Sequence, residues 1–364
     1  MAFNKNQHFV PRCYLRSFAS FGGKTINLFN IDRNQSIFNA PLKNQCSKDY
    51  FYGKNEDLER AIQLVESTYA STLPNLLNSG EKLSATARTI LPRFWLLQHT
   101  RTEAASERLV SMSQDTGDLI PGNTELFSLG AKDAVQFALR AYAENMDALD
   151  DLKIVLCENK TNIKFITSDD PAIFTDRWIE ENIGQSLGHG YGLNAAGLLC
   201  LMPLSPDIYC VMYDGDVYSI PNENNWISIK SDSDISSLNE LQHFNCRENL
   251  YFHDANQAPS IGNMHSESHG SRPKERHRLH YAIKTKSENG ISTFTVVEKD
   301  SIPKHTEAFI HMETVRIKPT KWPGFIKWRN GGSYYLSQPI GKHVRKAHAH
   351  NRSTAYFKKT KTGR

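Results

Sequence analysis

Between residues 55 and 78 apolar side chains recur three and four positions apart: Leu58, Ile62, Val65, Tyr69, Leu73 and Leu76. That spacing predicts an amphipathic helix with one buried face. Ser84 stands where a cap would open a second helix carrying Ala87, Ile90, Leu91, Phe94 and Leu97, and Pro92 inside the pattern predicts a late start or a kink. A third helix is predicted over 131–149, after the break at Pro121-Gly122-Asn123. The period then shortens. Residues 153–157 and 162–167 read as two strands of one hairpin, turning at Glu158-Asn159-Lys160-Thr161. Two more strands, 208–213 and 217–220, flank Asp214-Gly215-Asp216. Shorter strands are predicted over 25–32 and near Tyr251, the latter following a helix over 233–246. Residues 255–278 are polar and almost free of bulky apolar side chains, the pattern of a mobile linker. Residues 279–286 and 291–299 then form a hairpin through Asn289-Gly290.

These elements predict an α+β fold, with a helical N-terminal half and a mostly antiparallel sheet in the second half. They divide the chain into a core domain over 1–254, a flexible linker over 255–278, a β-hairpin extension over 279–317 and a basic, aromatic tail over 318–364.

Composition agrees with a globular protein: 39% of the 364 residues are hydrophobic and 10% aromatic. No run of 18 apolar residues would make a membrane span, and the N-terminus has no apolar secretory segment, so a cytoplasmic protein is expected. Six scattered cysteines without C-x-x-C spacing are then expected to be reduced and mostly packed in the core.

Charge changes the picture more. The net value of +4 hides a split, because residues 314–364 hold thirteen of the 43 Lys and Arg and none of the 39 Asp and Glu. The first 313 residues are left at −9. Lys321, Lys327, Arg329, Lys342, Arg345, Lys346, Arg352, Lys358, Lys359 and Lys361 are interleaved with Trp322, Trp328, Tyr334, Tyr335 and Tyr356. Cations release counterions from phosphates and aromatics stack on unpaired bases, so this tail is a candidate binder of DNA or RNA. The alternatives are a solvated extension, one that docks on the acidic body, or a contact to a protein partner.

The start of the chain is as distinctive. Residues 7–18 read Gln-His-Phe-Val-Pro-Arg-Cys-Tyr-Leu-Arg-Ser-Phe, too apolar for a frayed terminus. This segment resembles the opening of a large bacterial family, domain of unknown function 4238. The resemblance continues through Glu59, Ile62 and Glu66, through Phe94-Trp95-Leu96-Leu97-Gln98-His99-Thr100-Arg101, and through Phe165-Ile166-Thr167-Ser168-Asp169-Asp170-Pro171-Ala172. It ends with Met202-Pro203-Leu204-Ser205-Pro206 and Asn239, covering about residues 5–255 in order. Gln7 replaces a common first histidine of the family, and Asp170 replaces its usual asparagine.

Several of these residues could carry chemistry. Asp169 and Asp170 follow a strand end, where a rigid backbone can present carboxylates to Mg²⁺ or Mn²⁺, and equally where turn hydrogen bonds favour them. Glu66, seven residues after Glu59 and on the same helix rim, could join them as a metal ligand or stay a solvated glutamate. His8 could move protons near neutral pH, and Arg12 could offset charge on a phosphate oxygen. Gln98 and Arg101 share a helix face and could contact the same ligand or buttress the N-terminal strap. Walker A, H-E-x-x-H, dinucleotide and G-x-S-x-G patterns are absent.

The expectation is a nucleic-acid enzyme, a metal-dependent nuclease with His8, Arg12, Gln98, Arg101 and Asp169 catalytic and Glu66, Asp169 and Asp170 holding the ion. By analogy with bacterial families of this build, toxin or anti-phage roles are the context. The alternatives are a non-catalytic nucleic-acid or protein-binding subunit of a larger complex, and a hydrolase of a nucleotide ligand.

Overall fold

Five helices from the first 150 residues, α1 (Arg12–Leu15), α2 (Glu56–Leu76), α3 (Ala85–Arg101), α4 (Glu103–Leu119) and α5 (Ala131–Glu144), supply the helical half of this α+β protein. The computed structural model describes residues 5–119, 128–182, 192–288, 291–298, 308–337, 342–349 and 357–362. Asn55 caps α2 by accepting from the backbone N–H groups of Asp57 and Leu58, both at 3.1 Å. Ser84 caps α3, accepting from the N–H of Ala87 at 3.0 Å, and the helix runs on through Pro92. Buried residues lie all around α3, including Leu91, Phe94, Trp95 and Gln98, so it is the central helix. Its indole Trp95 Nε1 donates to the Leu201 carbonyl at 3.1 Å, and Phe94 stacks on Tyr69 of α2 with ring centroids 3.6 Å apart.

The helices cover one face of a five-stranded sheet in the order Trp226–Ile229, Lys153–Asn159, Ile208–Tyr213, Leu199–Pro203, Ile173–Thr175. Only the first two of these strands pair in parallel. Period-two alternation sends Ile154, Leu156, Met202 and Met212 toward the helices. It sends Val155, Cys157, Tyr209 and Val211 toward a second core with Ile235, Leu238 and Leu241 of α7 (Asp232–Asn245). Each such side chain is worth about 1.5–3 kcal/mol when fully buried, so the sheet is held from both sides.

The strand pairing corrects the sequence reading. Residues 162–167 do not return on 153–157 as a hairpin. Thr167–Ser168 belongs to a second sheet, ordered Gln35–Pro41, Thr25–Asn30, Asn249–Phe252, Thr167–Ser168. Tyr218–Ser219 likewise leaves the 208–213 strand and pairs with Lys327–Trp328. The segment expected to be a mobile linker contains a helix, α8 (Ala258–Ser268), after the short α6 (Arg177–Asn182) and α7 in chain order. Ile261 of α8 is buried with Phe29, Leu250 and Phe252, and that contact orders a segment otherwise poor in apolar residues.

Beyond it, His277–Glu288 and Ile291–Val296 form the expected antiparallel pair, joined on the other edge by a third strand, Ala308–Thr314. The basic tail is not a free extension at its start, because Ile317, Phe325 and Ile326 enter the second core. Further on, Ser333–Ser337 pairs with Lys342–Val344 and Phe357–Lys361. Arg345 is corrected most firmly as a nucleic-acid contact. It is 2% exposed, and its Nε and Nη2 donate to the Asp151 carboxylate at 2.8 and 2.9 Å. Lys321, Lys327, Arg329, Lys346, Lys358, Lys359 and Lys361 remain exposed, Lys342 is half-buried, and Arg352 lies outside the described residues. Among the described residues no helix is long and apolar enough to cross a membrane.

Candidate functional site

The apolar residues of the N-terminal strap explain why it is pinned. Val10, Tyr14, Leu15 and Phe18 are fully buried in the core shared with α2 and α3. The Tyr14 hydroxyl meets both the Thr167 hydroxyl and the Pro203 carbonyl at 2.7 Å. Gln7 clamps the start of the strap: its Oε1 accepts from the Tyr52 N–H at 2.7 Å and its Nε2 donates to the Gly53 carbonyl at 3.1 Å. The Tyr52 hydroxyl in turn donates to the His8 carbonyl at 2.8 Å. A glutamine at position 7 therefore serves as a two-point backbone clamp.

This anchoring places His8 and Arg12 on one wall of a cleft of about 590 Å³, with Glu59, Gln63 and Glu66 of α2 on the other. Lys43 and Tyr52 also line it. Behind it sits Arg101, wholly buried, whose Nη1 donates to Glu66 Oε1 at 2.6 Å. Gln98, also wholly buried, turns its amide oxygen to Arg101 Nη2 at 2.6 Å and Nε at 3.0 Å. Gln98 thus acts on Arg101 rather than on the cleft. Glu66 keeps 24% of its side chain exposed, so the buried cation is neutralised by a carboxylate that reaches solvent.

His8 is half-buried, and its Nε2 lies 3.2 Å from the Lys43 carbonyl. A carbonyl only accepts, so Nε2 carries the proton and Nδ1 the lone pair. Burial lowers the imidazole pKa from its ordinary 6.5; the Lys43 bond opposes this, Arg12 adds to it, and Glu66 opposes it. The Cys13 thiol in the same lining is pushed up to about 11 by burial and then by Glu66, which makes it a poor nucleophile.

Asp169 and Asp170 do not line this cleft, and the expected metal set does not assemble. Asp169 Oδ1 accepts from the Arg247 N–H at 2.8 Å, and Oδ2 accepts from those of Glu248 and Asn249, both at 2.9 Å. Burial still pushes its carboxyl up to about 6 against these three bonds. Asp170 is fully buried; Oδ1 accepts from the Thr102 hydroxyl at 2.8 Å and Oδ2 pairs with Arg108 Nη1 at 2.6 Å. With Glu66 paired to Arg101, these three carboxylates are each committed to protein donors. Among the described residues no group of three His, Cys, Asp or Glu side chains could hold a metal ion. Asp169 is corrected from a catalytic group to the anchor of the 247–249 backbone, the role that turn chemistry offered.

Sequence reasoning missed Tyr52, Lys43 and Arg108. Lys43 sits in a three-residue helical turn, Leu42–Asn44, and Tyr52 in a turn before α2, both too short to give a periodic signal. Arg108 lies on α4, whose few large apolar residues give no clear helical period.

The strap, the α2 glutamates, the end of α3 and the 165–172 turn are now linked by named contacts. A family model described as "Protein of unknown function (DUF4238)" matches residues 6–256. The chain belongs to this family. The matched DUF4238 segment includes the whole cleft and the Asp169–Asp170 turn, and it stops before α8, so the 277–314 sheet and the tail lie outside it. No curated protein and no solved structure matches the chain.

Proposed function

We propose that this chain is an enzyme that cleaves a phosphodiester of nucleic acid, with the cleft beneath the N-terminal strap as its active site. The observation that carries the reading is the convergence of His8, Arg12 and Glu66, from two separate elements, around one cleft backed by the buried Arg101. His8 Nδ1 takes the proton from the attacking hydroxyl of water or ribose as its oxygen bonds to phosphorus; the P–O bond to the leaving oxygen breaks, and that oxygen takes up a proton from solvent. Its lowered pKa keeps it neutral, and so competent as a base, at neutral pH. Arg12 pairs with the phosphate oxygens and offsets the charge that builds on them. Gln98 and Arg101 hold the Glu66 carboxylate at the wall of the cleft, with Arg101 fixing its orientation from behind. No step is routed through a metal ion, because Asp169 and Asp170 are spent on protein donors outside this cleft and Glu66 alone does not make an ion site.

The tail supports nucleic acid as the substrate class. Strand register puts Lys342, Lys359 and Lys361 on the same face as Tyr335 and Phe357, with no acidic residue in those three strands. Such a face suits a phosphate backbone.

The test is incubation with labelled single- and double-stranded RNA and DNA, in EDTA and with Mg²⁺ or Mn²⁺. Cleavage that persists in EDTA and is lost in His8→Gln is expected; glutamine keeps the donor to Lys43 and removes the base. Retention of oligonucleotide without cleavage under any condition would overturn the enzyme reading in favour of a binding subunit. Cleavage unchanged in His8→Gln would move the active site elsewhere.

A further inference from the structure

A second and larger cleft, of about 1430 Å³, opens where the end of α2 meets the 17–21 turn, the 205–208 loop and residues 253–256. Two phenylalanines stand in its lining, Phe21 at 73% and Phe38 at 49% exposure. Phe21 also has a φ of +48°. A bulky side chain is strained in that left-handed region, where glycine or asparagine would sit freely. Packing does not compensate here, because most of the ring is open to solvent. Backbone strain of this kind clusters at binding sites, which makes the exposed Phe21 ring a candidate ligand contact.

The rest of the lining identifies the ligand chemistry. Asn39 and Asn256 contribute neutral amides, each both donor and acceptor, and Asn78 offers its amide oxygen while its nitrogen donates to Glu81 at 2.5 Å; the buried Asn159 amide is spent on the Ile163 carbonyl and the Thr161 N–H. The carboxylates are Glu158, Asp207 and Asp254. Asp207 is paired with Lys164 at 2.7 Å and Glu158 with Lys160 at 2.6 Å. Asp254 accepts from the Asn256 N–H at 2.9 Å. Three carboxylates against two paired lysines repel a polyanion, and with two of the three already neutralised they offer little to a polycation. Exposed ring faces beside an array of amides fit a ligand that is apolar on its flat side and rich in hydroxyls at its edge. We propose that this cleft binds a neutral oligosaccharide, with Phe21 and Phe38 stacking on sugar rings and the asparagines meeting the hydroxyls. This site is separate from the cleft of the proposed phosphodiesterase and stands without that reading.

The experiment titrates the full chain with maltohexaose, cellohexaose, chitohexaose, xylohexaose and mannohexaose, followed by saturation-transfer NMR and calorimetry. At least one is expected to bind, and Phe21→Ala is expected to weaken it at least tenfold while leaving nucleic-acid cleavage unchanged. Phe21→Gly gives an independent readout: it is expected to hold or raise the melting temperature, because it relieves the strain and loses little burial. Failure of all five sugars to bind, or affinity indifferent to Phe21→Ala, would overturn the proposal. So would a lowered melting temperature in Phe21→Gly, which would make the ring a part of the fold. Binding of a short oligonucleotide that is lost in Phe21→Ala would assign the cleft to nucleic acid instead.

Discussion

Two carboxylate centres meet consecutive residues at the end of α3, and they are built differently. Arg101 reaches Glu66, whose second side is open to the cleft beside His8 and Arg12. Thr102 reaches Asp170, whose other oxygen is taken by Arg108, while the neighbouring Asp169 is spent on three backbone N–H groups. The first centre leaves acceptor capacity and charge within reach of a ligand. The second leaves none, and joins the 165–172 turn to α4 and to the 247–249 backbone. What a carboxylate can do is therefore decided by who already donates to it, not by its place in a motif.

The sharpest way to break this comparison is Arg108→Met. It strands the buried Asp170 charge with only the Thr102 hydroxyl, and should cost about 3–5 kcal/mol in chemical denaturation. Asp170→Asn alone should cost about 1 kcal/mol or less, because the partly exposed Arg108 can turn to solvent. Adding it to Arg108→Met should recover most of the loss. A double variant no more stable than Arg108→Met would show that Arg108 stabilises through something other than this pair.

Next in size is Asp169→Asn, which replaces one acceptor oxygen with an N–H donor facing backbone N–H groups. It should cost about 2–3 kcal/mol, read from the urea midpoint. Stability unchanged, with activity lost, would restore Asp169 to the catalytic group.

Glu66→Gln should cost about 1–2 kcal/mol, since the amide oxygen still accepts from Arg101 but no longer neutralises it. The stability loss should come with a loss of cleavage, which the Asp170→Asn variant should not show.

The smallest stability effect is expected at the cleft itself. His8→Gln should stay within about 0.5 kcal/mol of the parent, yet abolish cleavage. In the parent, a base with a pKa below 6.5 makes kcat/KM rise with pH through that value and stay flat above it. A rising limb centred above 6.5, or one that survives His8→Gln, would separate the activity from this histidine.

Periodicity along the chain was enough for α2, α3 and α7, because each presents apolar residues at helical spacing and opens with a polar or hydroxyl residue. The pinned strap was legible for the same reason, its apolar density. The convergence of His8 with Glu66 was legible only as a set of candidate residues. Amphipathic spacing says which face of an element is buried, and alternation says which side chains share a side of a strand. Neither names the partner. Hence the 153–157 strand was paired locally with 162–167, whereas its neighbours are 208–213 and, in parallel, 226–229. The helix α8 was hidden because its stability comes from Ile261 packing against Phe29 and Phe252, residues far away in sequence. The same reason divides the carboxylates. Sequence grouped Glu66, Asp169 and Asp170 as ligands of one ion, and only the fold brought Arg101 to the first, the 247–249 backbone to the second and Arg108 to the third. Hydrogen bonds over such separations are set by tertiary packing, and they decide which charged groups remain available to a ligand.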